Sequence, residues 1–118
     1  DGISIMNSYP AMAIDIETRK PQLANRTGGL SGPAIKPIAI KLVWEAAHVV
    51  DIPIIGMGGI YTPEDALEFI IAGASAVAVG TANFTDPSTA DRVIDGIESW
   101  LTAKNIAAVD DLVGTVRA

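Results

Sequence analysis

The chain contains three short apolar segments with the pattern of strands, and each is followed, directly or after an excursion, by a helical pattern. The strand segments cover residues 3–6, 52–57 and 76–79, and the helical patterns cover residues 35–50, 62–72 and 87–105. The second and third strand segments are continuously apolar, as is typical of buried parallel strands. The alternation of strand and helix predicts right-handed βαβ units and a parallel sheet.

Local signals indicate where the predicted helices begin and end. Pro37 indicates that the first regular turn starts near it. Thr62 is a suitable N-cap for the second helix, Gly73 can stop that helix, and Asn105 can end the third. The side chains expected to face the core are Ile35, Ile38, Leu42, Val43, Ala46, Val49 and Val50 in the first helix, Leu67, Ile70 and Ile71 in the second, Val93, Ile94, Ile97, Trp100 and Leu101 in the third, and Val109, Leu112, Val113 and Val116 in a short tail helix.

Between the first strand and the first helix lies a long excursion. Two short apolar runs, residues 13–16 and 22–24, flank a polar turn and predict a small hairpin. Residues 27–33 follow and contain three glycines, so they are expected to form a loop whose backbone can adopt positive φ and approach a neighbour closely.

Composition and charge narrow the classes of protein that this pattern allows. The chain has 118 residues, of which 49% are hydrophobic and 5% aromatic, in keeping with an aliphatic core. The formal net charge of −6 and the lack of a basic run make nucleic acid and anionic membranes poor partners. There is no cysteine to form a disulfide, ligate a metal or act as a nucleophile. No apolar run reaches the roughly 20 residues that span a bilayer, and we expect a cytoplasmic protein.

Small and polar residues follow all three predicted strands. They are Asn7 and Ser8, then Gly58 and Gly59, then Gly80 and Thr81. The carboxyl ends of parallel strands meet at one rim, where barrel enzymes commonly bind a phosphate through backbone N–H groups. Gly58 and Gly59 by themselves could form only a tight turn, and so could Gly80 and Thr81. The glycine loop of residues 27–33 could be only a flexible excursion. Their conjunction at one rim predicts a phosphate site.

Other candidate residues have a structural explanation beside the functional one. The amide of Asn7 suits a planar ligand with carbonyl and N–H edges, or it could satisfy its own turn. Lys36 lies near the glycine loop and could face a phosphate, although a solvated lysine at a helix start is the more ordinary explanation. His48 is expected to be solvated, and Trp44 and Trp100 to be packing residues. The sequence shows no catalytic triad, metal-ligand cluster or paired carboxylates at a strand end.

Three motifs, in order, resemble the C-terminal part of class 1B dihydroorotate dehydrogenases. They are residues 25–37, residues 52–60 and the run Gly80-Thr81-Ala82-Asn83-Phe84, and the similarity extends over essentially the whole chain. The resemblance implies an α/β fold, with residues 1–118 forming the C-terminal portion of a single (β/α)₈ TIM-barrel domain: its last three βα units plus the small hairpin. The N-terminal portion, with the first five strands, is then expected to lie outside this chain.

The same resemblance implies an FMN-dependent oxidation of dihydroorotate to orotate in pyrimidine biosynthesis. It assigns substrate binding to Asn7 and Ser8, and cofactor binding to Met6 through its backbone and to Gly32, Gly58, Gly59, Gly80 and Thr81. It implies a homodimer of the full catalytic subunit and a partner subunit that carries FAD and a [2Fe-2S] cluster and passes electrons to NAD⁺.

Some positions depart from the family's pattern. Ser8 stands where threonine is more frequent and keeps the hydroxyl, whereas Tyr9 and Pro10 replace a more usual aliphatic pair. The family's general base is a cysteine, which this chain lacks, so we expect residues 1–118 alone to be inactive. Two alternatives stay open: a barrel enzyme that binds another phosphate ligand, and an inactive half-barrel whose open sheet edges pair with another copy.

Overall fold

The computed structural model describes residues 1–117, which form seven strands, four α-helices and two short 3₁₀ helices. The strands are β1 (Ile3–Ile5), β2 (Tyr9–Ala11), β3 (Ile14–Asp15), β4 (Lys20–Pro21), β5 (Gly28–Leu30), β6 (Ile54–Met57) and β7 (Ala76–Ala78). The α-helices are α1 (Lys36–Ala47), α2 (Pro63–Ala72), α3 (Ala82–Thr85) and α4 (Thr89–Lys104), and the 3₁₀ helices are Pro33–Ile35 and Val109–Leu112.

The predicted parallel sheet is present, with β6 paired to β1 on one side and to β7 on the other. Ile5, Gly56 and Val77 occupy one register row, and Ser4, Ile55 and Ala76 occupy the next. Because side chains alternate along strands, these two rows face opposite sides of the sheet. The first row faces the helices, whereas Ser4, Ile55 and Ala76 are exposed within residues 1–117.

The main core lies between the sheet and its helices. Its buried members are Ala39, Val43, Ile54, Ile60, Ala66, Phe69, Ala72, Ala74 and Val93. Phe69 is fully buried and lies against Gly56, where a Cβ would be 2.7 Å from Phe69 Cδ1. The strand therefore has a glycine here, so that Phe69 can pack directly against its backbone.

The helix signals are largely confirmed. Thr62 caps α2 in a capping box with Asp65, Gly73 ends α2 with φ +128°, and Asn105 ends α4 in the left-handed conformation. In the first and third predicted helices, three side chains expected to face the core are exposed instead: Ile38 at 39%, Val49 at 79% and Ile94 at 62%. Two further corrections concern the ends: α1 stops at Ala47 rather than at residue 50, and the tail helix is a single 3₁₀ turn over Val109–Leu112 that leaves Val116 half exposed.

The excursion contains two antiparallel pairs rather than one hairpin and a loop. β3 pairs with β4, so the returning strand is Lys20–Pro21 and not residues 22–24. β2 pairs with β5, so Gly28–Leu30, predicted as a loop, is a strand. A Cβ on Gly29 would overlap the side chain of Ser8, which explains why glycine occupies this strand. The pairing brings the glycine segment beside the end of β1.

No helix in the part of the chain that the structure describes is long and apolar enough to cross a membrane.

Candidate functional site

A cavity of about 320 Å³ lies at the carboxyl ends of the three parallel strands. Small-molecule sites typically start at about 300 Å³. The lining residues are Asn7, Ser8, Gly29, Ser31, Gly32, Met57, Gly58, Gly59, Ile60, Tyr61, Ala78, Val79, Gly80, Thr81, Ala82 and Phe84. The structure thus brings together every predicted site residue except Met6, and among the described residues those that line the cavity carry no charge.

The turn after β6 forms one wall, and its backbone requires glycine. Gly58 has φ +120° and Gly59 has φ +78°, both unfavourable for other residues. A Cβ on Gly58 would lie 3.1 Å from Ala39 Cβ, and one on Gly59 would lie 2.7 Å from the carbonyl oxygen of Gly32. At Gly58 and Gly59 this wall therefore exposes main-chain atoms without side chains, as a backbone-bound phosphate needs.

The segment after β5 forms the second wall. Gly32 is buried with φ +91°, and a Cβ built there would lie 3.7 Å from the hydroxyl oxygen of Tyr61. Pro33 then starts the 3₁₀ helix that leads into α1. The contact between Gly32 and Gly59 places the second wall directly against the first.

The turn after β7 forms the third wall. The Thr81 hydroxyl donates a hydrogen bond of 2.7 Å to Ser31 Oγ, which joins this turn to the segment after β5. Asn83 stabilises this turn with two hydrogen bonds. Its Nδ2 donates to the carbonyl oxygen of Val79 at 2.9 Å, and its backbone N–H donates to the carbonyl oxygen of Gly80 at 3.0 Å. A Cβ on Gly80 would meet nothing within 4 Å, so Gly80 leaves open space in the cavity.

Asn7 and Ser8 follow β1 and are exposed on the cavity wall. Met6, which precedes them, has φ +66°, an uncommon conformation for a residue other than glycine. Its side chain packs against the core instead of lining the cavity. Met6 could therefore approach a ligand only through its backbone, which is the contact that the resemblance implies.

Lys36 is occupied by two carboxylates and does not face the cavity. Its Nζ lies 2.6 Å from Asp65 Oδ1 and 2.8 Å from Glu68 Oε1. The hydrogen bonds to Asp65 and then to Glu68 raise the pKa of Lys36 above its usual value. Neither sequence interpretation of Lys36, a phosphate ligand or a solvated lysine, matches this double ion pair.

Asp65 also accepts hydrogen bonds from the backbone N–H groups of Tyr61 and Thr62, each at 2.9 Å to Oδ2. Partial burial raises the pKa of Asp65, but the hydrogen bonds from Lys36, Tyr61 and Thr62 outweigh burial and hold the pKa below its usual value. Asp65 is therefore a carboxylate when the site is formed.

The remaining candidates lie outside the cavity. His48 is exposed, as predicted, with Nδ1 2.7 Å from the carbonyl oxygen of Trp44. Trp100 packs in a second cluster with Leu67, Ile70 and Leu112, whereas Trp44 is 42% exposed and packs only in part. The described residues contain no group of three or more potential metal ligands.

Sequence reasoning did not assign Ser31, Tyr61 or Phe84 to the site. Ser31 stands inside the glycine motif, so its position was a usable signal. Phe84 ends the motif of residues 80–84, which was likewise a usable signal. Tyr61 carried no such signal, because only the fold brings it to the cavity.

Comparison with known proteins identifies the family to which this arrangement belongs. Residues 1–101 match the family model described as dihydroorotate dehydrogenase. The chain belongs to the dihydroorotate dehydrogenase family. The resemblance that the motifs indicated is thereby confirmed.

Similar curated proteins are catalytic subunits named dihydroorotate dehydrogenase B (NAD(+)). The subunit of Trichlorobacter lovleyi is 53% identical over 116 residues, and that of Geotalea uraniireducens is 54% identical over the same length. In both comparisons the match covers 98% of this chain and 38% of the relative. The chain therefore spans well under half the length of these dihydroorotate dehydrogenases.

A solved dihydroorotate dehydrogenase has the same fold. The enzyme from Eimeria tenella, crystallised in complex with ferulenol, matches with a TM-score of 0.78 and 34% identity. The match covers 98% of this chain and 31% of that protein. The sheet and its helices thus correspond to part of an α/β TIM barrel, which confirms the predicted fold class. In such a barrel the sheet face away from the helices lines the interior, which accounts for the exposed sheet face here.

Proposed function

We propose that residues 1–118 supply the FMN-phosphate site and part of the substrate site of an oxidoreductase that converts dihydroorotate to orotate in pyrimidine biosynthesis. The observation that carries this proposal is the meeting of two glycine turns, after β6 and β7, with the Ser31–Thr81 hydroxyl pair in one cavity without charged walls. Membership in the dihydroorotate dehydrogenase family supplies the chemistry.

The cavity walls fit a phosphate bound by main-chain donors. Gly58 and Gly59 line the cavity without side chains, and a Cβ on either would be directed at Ala39 or at the carbonyl oxygen of Gly32, whereas a Cβ on Gly80 would meet nothing within 4 Å. With Thr81, these residues would hold the phosphate group of FMN. Gly32, and Met6 through its backbone, would contact the remainder of the cofactor.

Asn7 and Ser8 would hold the substrate. A side-chain amide can donate to one edge of a planar pyrimidine ring and accept from another, and the serine hydroxyl can add a further hydrogen bond. FMN, when bound, supplies hydride acceptance. Asn7 and Ser8 would orient dihydroorotate toward it, while the general base would come from outside these 118 residues, which contain no cysteine.

The names of the relatives support a proposal about partner proteins. Those relatives are named NAD(+)-type catalytic subunits. We therefore propose, for the protein that carries this chain, a homodimeric catalytic subunit in the cytoplasm. An electron-transfer subunit with FAD and a [2Fe-2S] cluster would pass electrons to NAD⁺.

The test uses the natural gene product that carries this sequence, expressed in full. We expect it to purify with a flavin absorbance spectrum, to lose that absorbance on addition of dihydroorotate, and to bind FMN more tightly than a phosphosugar. Preference for the phosphosugar would favour another barrel enzyme. A colourless oligomer that ignores flavin would favour the inactive half-barrel.

A matched pair of asparagine variants tests the substrate site. Asn7→Ala should retain FMN and lose most of the flavin reduction by dihydroorotate. Asn25→Ala changes an exposed asparagine in the excursion, which does not line the cavity, and should behave as wild type. Equal reduction rates in the two variants would remove Asn7 from the substrate site.

A further inference from the structure

The ion pair between Lys36 and Asp65 joins two walls of the cavity. Lys36 opens α1, directly after the segment that contains Ser31 and Gly32. Asp65 lies in the first turn of α2, directly after the turn that contains Gly58 and Gly59. The two residues are separated by 29 positions, so only the fold brings them together.

Each partner also touches the backbone of the glycine turn or of the residues that follow it. A Cβ on Gly59 would lie 3.0 Å from Lys36 Cβ and 3.1 Å from Lys36 N, so Lys36 packs directly on Gly59. Asp65 Oδ2 accepts from the N–H groups of Tyr61 and Thr62. The turn between β6 and α2 is therefore held at both ends, by packing on Lys36 and by the carboxylate of Asp65.

The ion pair is partly shielded from solvent, which makes it a stronger restraint than a surface pair. The side chain of Asp65 is 14% exposed and that of Lys36 is 24% exposed. A short ion pair with additional hydrogen bonds to backbone donors keeps one geometry better than an exposed pair does. Glu68, the second partner of Lys36, is half exposed and binds Lys36 without any hydrogen bond to the turn.

We propose that Lys36 and Asp65 are positioning residues that hold the Gly58–Gly59 turn against Gly32 in the geometry that binds the FMN phosphate. The proposal rests on the proposed function. Neither side chain lines the cavity, so both act through the backbone of the turn. Lys36 thus serves to shape a set of neutral donors rather than to pair with the phosphate itself.

The test measures FMN affinity of the full gene product for Asp65→Asn and Lys36→Met. The amide of Asp65→Asn has only one oxygen, so it can accept from the turn or from Lys36 but not from both. Its NH₂ group faces the other partner, and the connection between the walls is lost. We expect each variant to bind FMN about tenfold more weakly, a change that one charged hydrogen bond can account for. The double variant should bind FMN with about the same affinity as the single variant with the lower affinity, because the two residues act as one unit.

Matched controls separate positioning from a general effect of charge. Glu68→Gln removes the other carboxylate on Lys36, and Lys41→Met removes an exposed lysine of α1 whose pair with Glu45 is distant from the cavity. Both should bind FMN within about twofold of wild type. Lys36→Arg, which keeps the charge, should recover part of the affinity that Lys36→Met loses.

Amide hydrogen exchange of the ligand-free variants provides a readout that does not depend on flavin. In Asp65→Asn, the N–H groups of Tyr61 and Thr62 should exchange faster, while the unfolding midpoint shows that the protein remains folded. Wild-type protein that binds no FMN would overturn the proposed function and this role with it. Wild-type protein that binds FMN, together with variants that bind it equally well, would overturn only the positioning role.

Discussion

Gly59 lies against the carbonyl oxygen of Gly32 so closely that a methyl group on Gly59 would be 2.7 Å from that oxygen. The two residues come from different βα connections, one after β6 and the other after β5. Both have positive φ, +78° for Gly59 and +91° for Gly32. This contact brings two walls of the cavity together, and it requires glycine at position 59 both for its φ and for space.

Gly59→Ala should therefore destabilise the protein and abolish FMN binding. We expect a loss of about 1–3 kcal/mol in the free energy of unfolding, from the combined backbone strain and steric overlap. Gly114→Ala is the matched control, because Gly114 has a similar φ of +69° but open space around its Cβ position. Its cost should be the backbone strain alone, about 1 kcal/mol, with FMN binding retained. Equal effects of the two substitutions in urea denaturation and flavin titration would contradict the packing argument.

Thr81→Val should weaken FMN binding without unfolding the protein. The substitution keeps the shape of the side chain but removes the hydroxyl that bonds to Ser31 and that would reach the phosphate. We expect about a tenfold rise in the dissociation constant, measured by quenching of flavin fluorescence. Ser31→Ala should have a smaller effect, because the Thr81 hydroxyl remains. Thr115→Val, which removes a hydroxyl bonded to the carbonyl of Leu112 outside the cavity, serves as the control; a loss of affinity there would argue against a local role of Thr81.

The stability of the protein should depend on pH through Asp65. Its pKa is lowered in the folded state, so the stabilisation is fully present above the usual aspartate value of about 4 and is lost as pH falls through the lower folded-state pKa. Urea denaturation should show wild type more stable than Asp65→Asn near neutral pH, with the difference shrinking below about pH 4. A difference that stays constant into strong acid would show that the carboxylate charge is not what stabilises the turn.

At high pH, the stability of the protein should depend on Lys36, with the opposite sign. Its pKa is raised in the folded state, so its contribution is present below the usual lysine value of about 10.4 and is lost as pH rises through the higher folded-state pKa. Lys36→Met should differ from wild type up to that range and converge with it beyond. Lys41→Met, which removes an exposed pair with Glu45 that solvent screens, should cost little stability near neutral pH and serves as the control in the same denaturation series.

Truncation to alanine should destabilise the protein strongly at one of its two phenylalanines and hardly at the other. Phe69 is fully buried against Gly56, and Phe69→Ala should lower the free energy of unfolding by about 3–5 kcal/mol, since it removes a ring from a packed core. Phe84 is 91% exposed, and Phe84→Ala should change the free energy of unfolding by less than about 0.5 kcal/mol. Thermal unfolding of both variants measures these changes. A large loss of stability in Phe84→Ala would mean that the Phe84 ring is covered in the folded protein.

Local sequence signals predicted the helices better than they predicted which side chains are buried. Thr62, Gly73 and Asn105 mark helix ends because capping depends on a few neighbouring residues. Val49 and Ile94 were wrongly placed in the core, since periodicity shows which side of a helix is apolar but not how far its neighbours extend over that side. The strand at Gly28–Leu30 was missed because a glycine-rich segment has no strand pattern, and only its partner β2 makes it one.

By itself, the sequence determined the order of strands and helices, the parallel sheet, the family resemblance and the small residues at the ends of three strands. These features depend on periodicity, capping residues and short motifs, all of which lie within a few positions of one another. Only the tertiary structure decided that Gly59 touches Gly32, that Thr81 bonds to Ser31, and that Lys36 pairs with Asp65 instead of facing the cavity. Those contacts join residues far apart in the chain, and their geometry is set by how the helices pack on the sheet.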